Sequence, residues 1–446
     1  MTPNTTQIVV VGAGISGLAA AWALRQAGCD CLVLEAQPRC GGSIQTGHEQ
    51  GFIYEGGPDS FLALKPAAAG LCQELGLADE LIGTEPQRGG PRLLHRGRLQ
   101  PLPRGLSSLA PKRLGPLLRS PLFSLTTKAA LAWHWRARGE SAAAPPGEDE
   151  SVATYLQRRY GRRAGHAFAA TITGPLLAGV YGGTAAQISA ARMQPRRAVA
   201  RITLAPAPPL FLSLRSGMGT LVETLAARLQ GSVRLRCRVR FLAPASAGYR
   251  LELESGESLA ASAVILALPA PAAATLLAPL DAALSAPLAA IPTTSSVNLN
   301  LGFRSAPPLP PGHGFLADSS AAPLLACTFA HQKFAGRALA GGALLRLFYG
   351  PALAEAADAA LADRALADLA TILHITAAPD LVRMRHSYGA LPLYSPGHAT
   401  RLRRLTEALA HHPLLALAGN AYDGVGVPDC IASGRAAAAR VLAALA

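Results

Sequence analysis

Three glycines and one acid near the start of the chain carry the plainest chemical signal. Gly12, Gly14 and Gly17 stand in GxGxxG spacing, and Glu35 follows 18 residues after the last of them. A glycine-rich turn between a strand and a helix lets a pyrophosphate approach the backbone. The start of that helix offers unpaired N–H groups and the positive end of its dipole. A carboxylate closing the next strand takes both hydroxyls of a ribose. The chemistry implied is dinucleotide binding.

Spacing alone is weak evidence, so the flanking elements matter. Ile8 to Val11 is an unbroken β-branched run, the pattern of a strand buried on both faces. Leu18 to Ala27 reads as a helix and Cys31 to Leu34 as a second strand ending at Glu35. Strand, glycine turn, helix, strand and acid in this order make a dinucleotide site the stronger reading; the other is a glycine-rich turn in an ordinary α/β unit.

The chain has 446 residues, enough for two or three domains; half are hydrophobic and 15% are charged, which excludes a disordered chain. The net charge of +14 comes almost wholly from arginine, since the only lysines are Lys65, Lys112, Lys128 and Lys333. No nucleic-acid module accompanies that charge, so nucleic acid is not an expected partner. Seven scattered cysteines without a CxxC read as reduced thiols rather than disulfides or a metal site. Residues 1–7 carry no positive charge, so no secretory leader is expected. The uncharged stretches 167–191 and 258–280 are interrupted by Pro, Gly and small polar residues and are not expected to span a membrane.

Further along, glycines at 41, 42, 51, 56 and 57 keep the backbone close to a ligand or simply form turns. Pro66 to Leu75 reads as a helix stopped by Gly76. Residues 86–139 hold eleven Arg or Lys, no Asp or Glu, and interleaved apolar residues including Trp133 and Trp135. Two readings stay open: a helical face resting on an anionic bilayer, or a solvated arginine-biased subdomain. Residues 141–150 form a Pro/Ala-rich linker, and Ser151 caps a helix through Tyr160. Thr220 is the expected cap of a helix over 221–229. Val233, Leu235, Cys237 and Val239 alternate with arginines as one half-exposed strand. Tyr249–Glu254 and Leu259–Leu268 continue a meander that returns to the first sheet. Strands at 293–303 and 343–349 and a helix at 353–374 come next. At the end, strand Leu414–Ala418 runs into a turn with Gly419, Gly424 and Gly426 and a helix from about Asp429, the opening's logic repeated.

Taken together, GAGISGLAAA…LEAQPRCGGSIQT, GFIYEGGPDSF, GFLADSSAAPLLACTFAHQKFAGRALAGGALLRLFYG and AGNAYDGVGVPDCIASGRAAA resemble the flavin-dependent protoporphyrinogen oxidases, within the superfamily of amine oxidases and phytoene desaturases. The likeness covers nearly the whole length and is weakest from about 105 to 200. Departures are Asp318 after GFLA, where the family has proline, and Ser387 and Leu393, where tryptophan and glutamine are common; Pro392, Tyr394, Gly397 and His398 are kept. The resemblance implies FAD as cofactor and removal of six electrons from protoporphyrinogen IX, with dioxygen as acceptor and hydrogen peroxide as product. The alternatives are oxidation of coproporphyrinogen III to coproporphyrin III, an amine or carotenoid oxidoreductase, and a non-catalytic flavoprotein. No catalytic side chain and no metal are required, because the cofactor carries the redox chemistry.

By the same resemblance, Gly12, Ala13, Gly14, Ile15, Ser16 and Gly17 serve the pyrophosphate, and Glu35 with Ala36 the ribose. Arg39, Gly42 and Ser43 lie along the cofactor, and Gly57, Pro58, Asp59 and Ser60 near the flavin. Val239 backs the adenosine, and Gly419, Val425, Gly426 and Val427 approach the flavin from the C-terminal side. Arg92 is the expected anchor for a substrate propionate, with Arg96 and Arg98 as rivals. His398 is read as structural. The fold expected is α/β: a two-dinucleotide-binding-type FAD domain from 1–85, 201–285 and 406–446, a mixed-sheet substrate domain at 286–405, and a basic helical, membrane-facing or substrate-facing subdomain at 86–200. The expected location is the cytoplasm, with peripheral contact at an anionic membrane; association as a homodimer is left open.

Overall fold

The computed structural model describes residues 8–85, 89–103, 114–138, 149–193, 209–318 and 323–446. Both ends of the chain meet in a five-stranded parallel sheet, ordered Val233–Arg234, Cys31–Leu34, Ile8–Val11, Ala263–Leu266, Leu415–Leu417. Ile8, Val9 and Val10 are fully buried, which explains their unbroken apolar run. Ile8 and Val10 face a core built with helices Ile15–Gln26, Gly219–Arg228 and Val427–Leu445. Val9 and Val11 face the meander Val239–Ala245, Gly248–Leu253, Ser258–Ala261 and helices Ala270–Leu277 and Ala282–Ala289. Because all five strands run the same way, the glycine turns after Val11 and Leu417 emerge at one edge. The order also reverses on either side of Ile8–Val11, the switch point outside which ligands of such sheets bind.

The alternating run expected as one strand over 233–239 is divided. Val233–Arg234 pairs in the parallel sheet, Arg236 turns with φ 56°, and Val239 begins the meander. Alternation does not reveal where a chain changes sheets, because each half keeps the same period. The expected strand over 259–268 is divided in the same way: Ser258–Ala261 closes the meander and Ala263–Leu266 enters the parallel sheet.

The second unit is a seven-stranded sheet ordered Leu381–Pro392, Thr293–Phe303, Ala343–Tyr349, Leu324–Phe329, Gly314–Ala317, Arg92–His95, Arg98–Pro101. Along Thr293–Phe303, Val297, Leu299, Leu301 and Phe303 share a core with Leu361, Ala365 and Leu369 of helix Asp358–Leu373. Asn298 and Asn300 point the other way, yet they are 7% and 2% exposed. Their face is covered by the first unit: Asn298 Nδ2 donates to Gly56 O at 2.8 Å and Asn300 Nδ2 to Glu55 O at 3.1 Å. The helix expected at 353–374 is Asp358–Leu373, preceded by a short 3-10 turn at Pro351–Leu353.

The stretch expected to be helical from residue 86 opens instead with the hairpin Arg92–His95/Arg98–Pro101, which joins the sheet through a parallel pairing with Gly314–Ala317. Leu93 and Leu94 are both buried, one against helices and one in the sheet core, a pair that periodicity alone does not assign. Helices Leu114–Arg119, Leu125–Arg138, Val152–Tyr160, Arg162–Phe168 and Gly174–Tyr181 follow and pack over Leu93 and Leu316. Ser151 does cap its helix, accepting from Thr154 N at 3.1 Å. Arg88, Arg104, Lys112, Arg113 and linker residues 141–148 lie outside the described residues. Among the described residues no helix is long and apolar enough to cross a membrane.

Thr220 is not the cap of its helix. That helix runs Gly219–Arg228, and its first N–H groups are taken by distant side chains: Met218 N donates to Glu55 Oε1 at 2.8 Å and Gly219 N to Thr46 Oγ1 at 2.7 Å. Glu55 is buried, and burial raises its pKa to about 7 despite the Met218 N–H, the Thr46 hydroxyl and the nearby Arg337 and Arg346, which all favour the charged form. A folded-state value above the unfolded one of 4.5 means that the native protein binds the extra proton between the two. Stability from this group therefore falls as pH rises from about 4.5 to about 7, by on the order of 2–3 kcal/mol. Glu55→Gln removes that slope: urea midpoints of wild type and variant should diverge steadily between pH 5 and 7.5, the variant gaining. Parallel curves would contradict the assignment.

Candidate active site

The glycines of the opening turn differ in what surrounds them. A Cβ on Gly12, which has φ +103°, would lie 2.4 Å from Ala267 O, and one on Gly17 would lie 1.8 Å from Gly12 O. Both are therefore demanded by the protein's own packing. A Cβ on Gly14 would meet no protein atom within 4 Å. Gly14 stands as the N-cap of helix Ile15–Gln26 with no side-chain cap, so no capping side chain takes the first N–H groups of the helix. That cradle fits a pyrophosphate.

Glu35 ends its strand beside this turn. Its Oε2 accepts from Ala13 N at 2.7 Å and its Oε1 from Gln37 N at 2.8 Å. Each oxygen keeps lone pairs for a ribose hydroxyl. Ala36 is half-buried next to it, and Val239 begins its strand two residues after Cys237, whose N–H donates to Glu35 O at 2.8 Å. The adenosine side expected around Glu35 and Val239 is thus contiguous.

The following loop runs from the cradle toward the second sheet. Gly42, with φ +56°, sits 3.3 Å from Gly14 Cα where its Cβ would be, and a Cβ on Gly57 would lie 1.7 Å from Ser43 O. Arg39 lies in that loop, beside Gly42. Its guanidinium donates to Cys40 O at 2.9 Å, Ile44 O at 3.0 Å and Gly42 O at 2.7 Å, shaping the loop. After Gly57 and Pro58, Asp59 pairs with Lys333 at 2.8 Å, and Ser60 bonds Asp59 Oδ1 at 2.7 Å. Lys333 and the buried Arg346 hold the Asp59 carboxyl well below the usual range against the cost of its burial.

The C-terminal turn arrives at the same edge. Gly419 N donates to Ser433 Oγ at 3.1 Å and Gly426 N to Asp429 Oδ2 at 3.2 Å, just before Val427 opens the last helix; Val425 lies half-buried between them. Gly434 lets that helix cross the opening one, since its Cβ would lie 2.1 Å from Ser16 O. The two helix starts are therefore held side by side. Lys65 fastens the second at 2.7 Å through Asp429.

Arg92 is placed differently from Asn298 and Arg346. It aligns with Phe315, whose side chain belongs to the core under helix Asp358–Leu373, and its Nε donates to Pro311 O at 3.3 Å. Arg96 occupies the hairpin turn with φ 52°, and Arg98 is exposed. Asp318 pairs with His95 Nδ1 at 2.6 Å. His398 is fully buried and stacked on Tyr394 at 4.3 Å; burial lowers its pKa to about 4.

Sequence reasoning missed Arg346 and Arg385. Arg346 donates to Gly57 O and stacks on Phe348 at 4.5 Å; Arg385 donates to Gly42 O at 2.9 Å, Ser43 O at 3.3 Å and Gln45 Oε1 at 2.7 Å. Each is an arginine within a strand, with nothing in its neighbours to say that its face meets another unit.

A nucleotide cradle at the switch point of a parallel sheet, joined to a second mixed sheet, defines a two-unit flavoprotein oxidoreductase. The chain belongs to the flavin containing amine oxidoreductase family, whose model matches residues 15–442, and its cofactor is FAD. It is 30% identical to the coproporphyrinogen III oxidase of Bacillus subtilis (strain 168), over 99% of both chains, and 31% identical to the protoporphyrinogen oxidase of Bos taurus, over 98% of both. A crystallised protein of Exiguobacterium sp. 255-15, provisionally described as a protoporphyrinogen oxidase, superposes with a TM-score of 0.86 at 31% identity over the whole of both chains.

Gly14→Ala should leave the melting temperature close to wild type but lose most bound flavin, whereas Gly17→Ala should lower melting sharply whether or not flavin is present; overpacking costs about 1–3 kcal/mol. Flavin content and melting measured on both variants check this. Glu35→Ala should weaken FAD by about tenfold to a hundredfold, the loss of charge-assisted hydrogen bonds. Flavin retention equal to wild type on gel filtration would count against the ribose role.

Proposed function

We propose that this chain is a porphyrinogen oxidase of haem biosynthesis. It removes six electrons from a porphyrinogen in two-electron steps, with dioxygen as the final acceptor. FAD, when bound, supplies the hydride acceptor. The chain's part is to hold a flat apolar macrocycle beside it and to keep water out.

The observation that carries this reading is the sheet face toward the cofactor loops. Its polar end, Asn298, Asn300 and Arg346, is closed against residues 55–57, while Leu316, Phe348 and Leu391 farther along, with Tyr181 from the helices, stay only half-buried. An incompletely covered apolar strip between a flavin site and a helical cap suits an aromatic or macrocyclic substrate. Arg92, at the head of strand Arg92–His95, is our choice of propionate anchor from the sequence resemblance; it aligns with Phe315, so it would meet a propionate at the sheet's edge and not on the face of Arg346 and Phe348.

Protoporphyrinogen IX, the substrate the sequence resemblance suggests, and coproporphyrinogen III, named for the Bacillus subtilis relative, differ in the number of propionates. Both belong in the test. We read helix Leu125–Arg138, whose Leu125 and Trp133 are 82% and 73% exposed near Lys128 and Arg136, as a peripheral contact with an anionic membrane on the cytoplasmic side.

Anaerobic mixing of the flavin-loaded protein with each porphyrinogen should bleach the flavin with at least one of them. No bleaching by either ends the reading. Arg92→Ala should raise the Michaelis constant about tenfold to a hundredfold with little change in kcat, the signature of lost ground-state binding. An unchanged constant would remove Arg92 from the substrate site.

A further inference from the structure

Two guanidinium groups from different units share one acceptor. Arg39 Nη2, from the loop that follows Glu35, donates to Gly42 O at 2.7 Å, and Arg385 Nη2, from strand Leu381–Pro392 of the second sheet, donates to the same oxygen at 2.9 Å. Gly42 is the residue that abuts Gly14 and the phosphate cradle. Arg346 stands behind the pair, bonded to Gly57 O, and Gly57 in turn packs on Ser43.

The charges here do not cancel. Among the described residues, Arg39 and Arg385 bond only carbonyl and amide oxygens. Asp59 serves both Lys333 and Arg346, and Glu55, raised to about 7, is only half ionised near neutrality, so neither carboxylate is left for Arg39 and Arg385. Arg385 is shifted down by partial burial and then by repulsion from Arg39 and Arg346. Like charges brought together without a counter-ion cost stability unless an anion completes the site. A neutral residue would bond the same carbonyls without that repulsion.

We propose that Arg385 is a cofactor-anchoring residue supplied by the substrate sheet, holding with Arg39 an anion carried by FAD. That anion is the pyrophosphate or the negatively charged reduced ring. The inference rests on the FAD reading but not on the identity of the porphyrinogen. It also links the two units, because whatever moves strand Leu381–Pro392 must alter cofactor affinity, and the effect is reciprocal.

The test uses the full chain, stripped of flavin and reloaded with FAD, as wild type, R385Q and R385K. If the anion is the pyrophosphate, R385Q weakens oxidised FAD about tenfold or more, read by quenching of flavin fluorescence. If it is the reduced ring, R385Q keeps its affinity for oxidised FAD. The anaerobic equilibrium with a reference dye then moves about tenfold toward oxidised flavin, about 30 mV for a two-electron couple. In both cases R385K, which keeps the charge but not the fork, stays within about threefold of wild type. R385Q matching wild type in both measurements overturns the proposal, as does R385K impaired as much as R385Q, the mark of a purely structural tie. Should R385Q fail to fold, R385M serves as the neutral variant, and R385M matching wild type in both measurements overturns the proposal. Porphyrinogen turnover is scored separately, so failure there with a normal Arg385 effect sinks only the substrate reading.

Discussion

The structure depends on one constraint: the carbonyls of residues 55–57 are buried between two sheets and must find donors. A buried carbonyl without a partner costs about 1–3 kcal/mol. Asn298, Asn300 and Arg346 supply those donors from the second unit. The two sheets therefore assemble in a single register. Any slip of strand Thr293–Phe303 by one residue would turn Val297 and Leu299 onto the carbonyls and the asparagines into the core under helix Asp358–Leu373.

That docking also explains how a cofactor site assembled from three distant segments keeps its shape. The cradle at Gly14 and the loop at Gly42 to Gly57 come from the start of the chain, and the start of the last helix from its far end. They are fixed by close backbone approaches, Gly434 on Ser16 and Gly57 on Ser43, which only glycine permits, and by the left-handed turn of Gly42 beside Gly14. Side chains then secure the joints, Lys65 on Asp429 and Lys333 on Asp59. Removing one partner of a pair as enclosed as Lys333–Asp59 leaves an uncompensated charge, which typically costs about 3–5 kcal/mol.

The same geometry divides labour between the units. The parallel sheet and its helix starts bind the nucleotide, a role set by backbone N–H groups and dipoles and hence tolerant of side-chain change. The mixed sheet and helical cap carry the half-buried apolar strip of Leu316, Phe348 and Leu391. On the mixed sheet, Asp318, a departure from the family pattern, is matched by His95 at 2.6 Å on the neighbouring hairpin.

By itself the sequence determined the cofactor half of this protein. Gly12, Gly17 and Glu35 are read by local rules, since strand, tight turn, helix and acid lie within a single short unit whose geometry hardly depends on the rest of the chain. The returning strand Ala263–Leu266 and the C-terminal glycine turn were legible for the same reason. What only the tertiary structure decided is which polar residues are buried and against what. Asn298, Asn300 and Arg346 alternate with apolar neighbours like the solvent face of any strand, Arg385 stands in a largely polar run, and the break at Arg236 leaves the period untouched. Alternation specifies two faces; which of them meets water and which meets another sheet depends on contacts between residues far apart in the chain, and those exist only once it has folded.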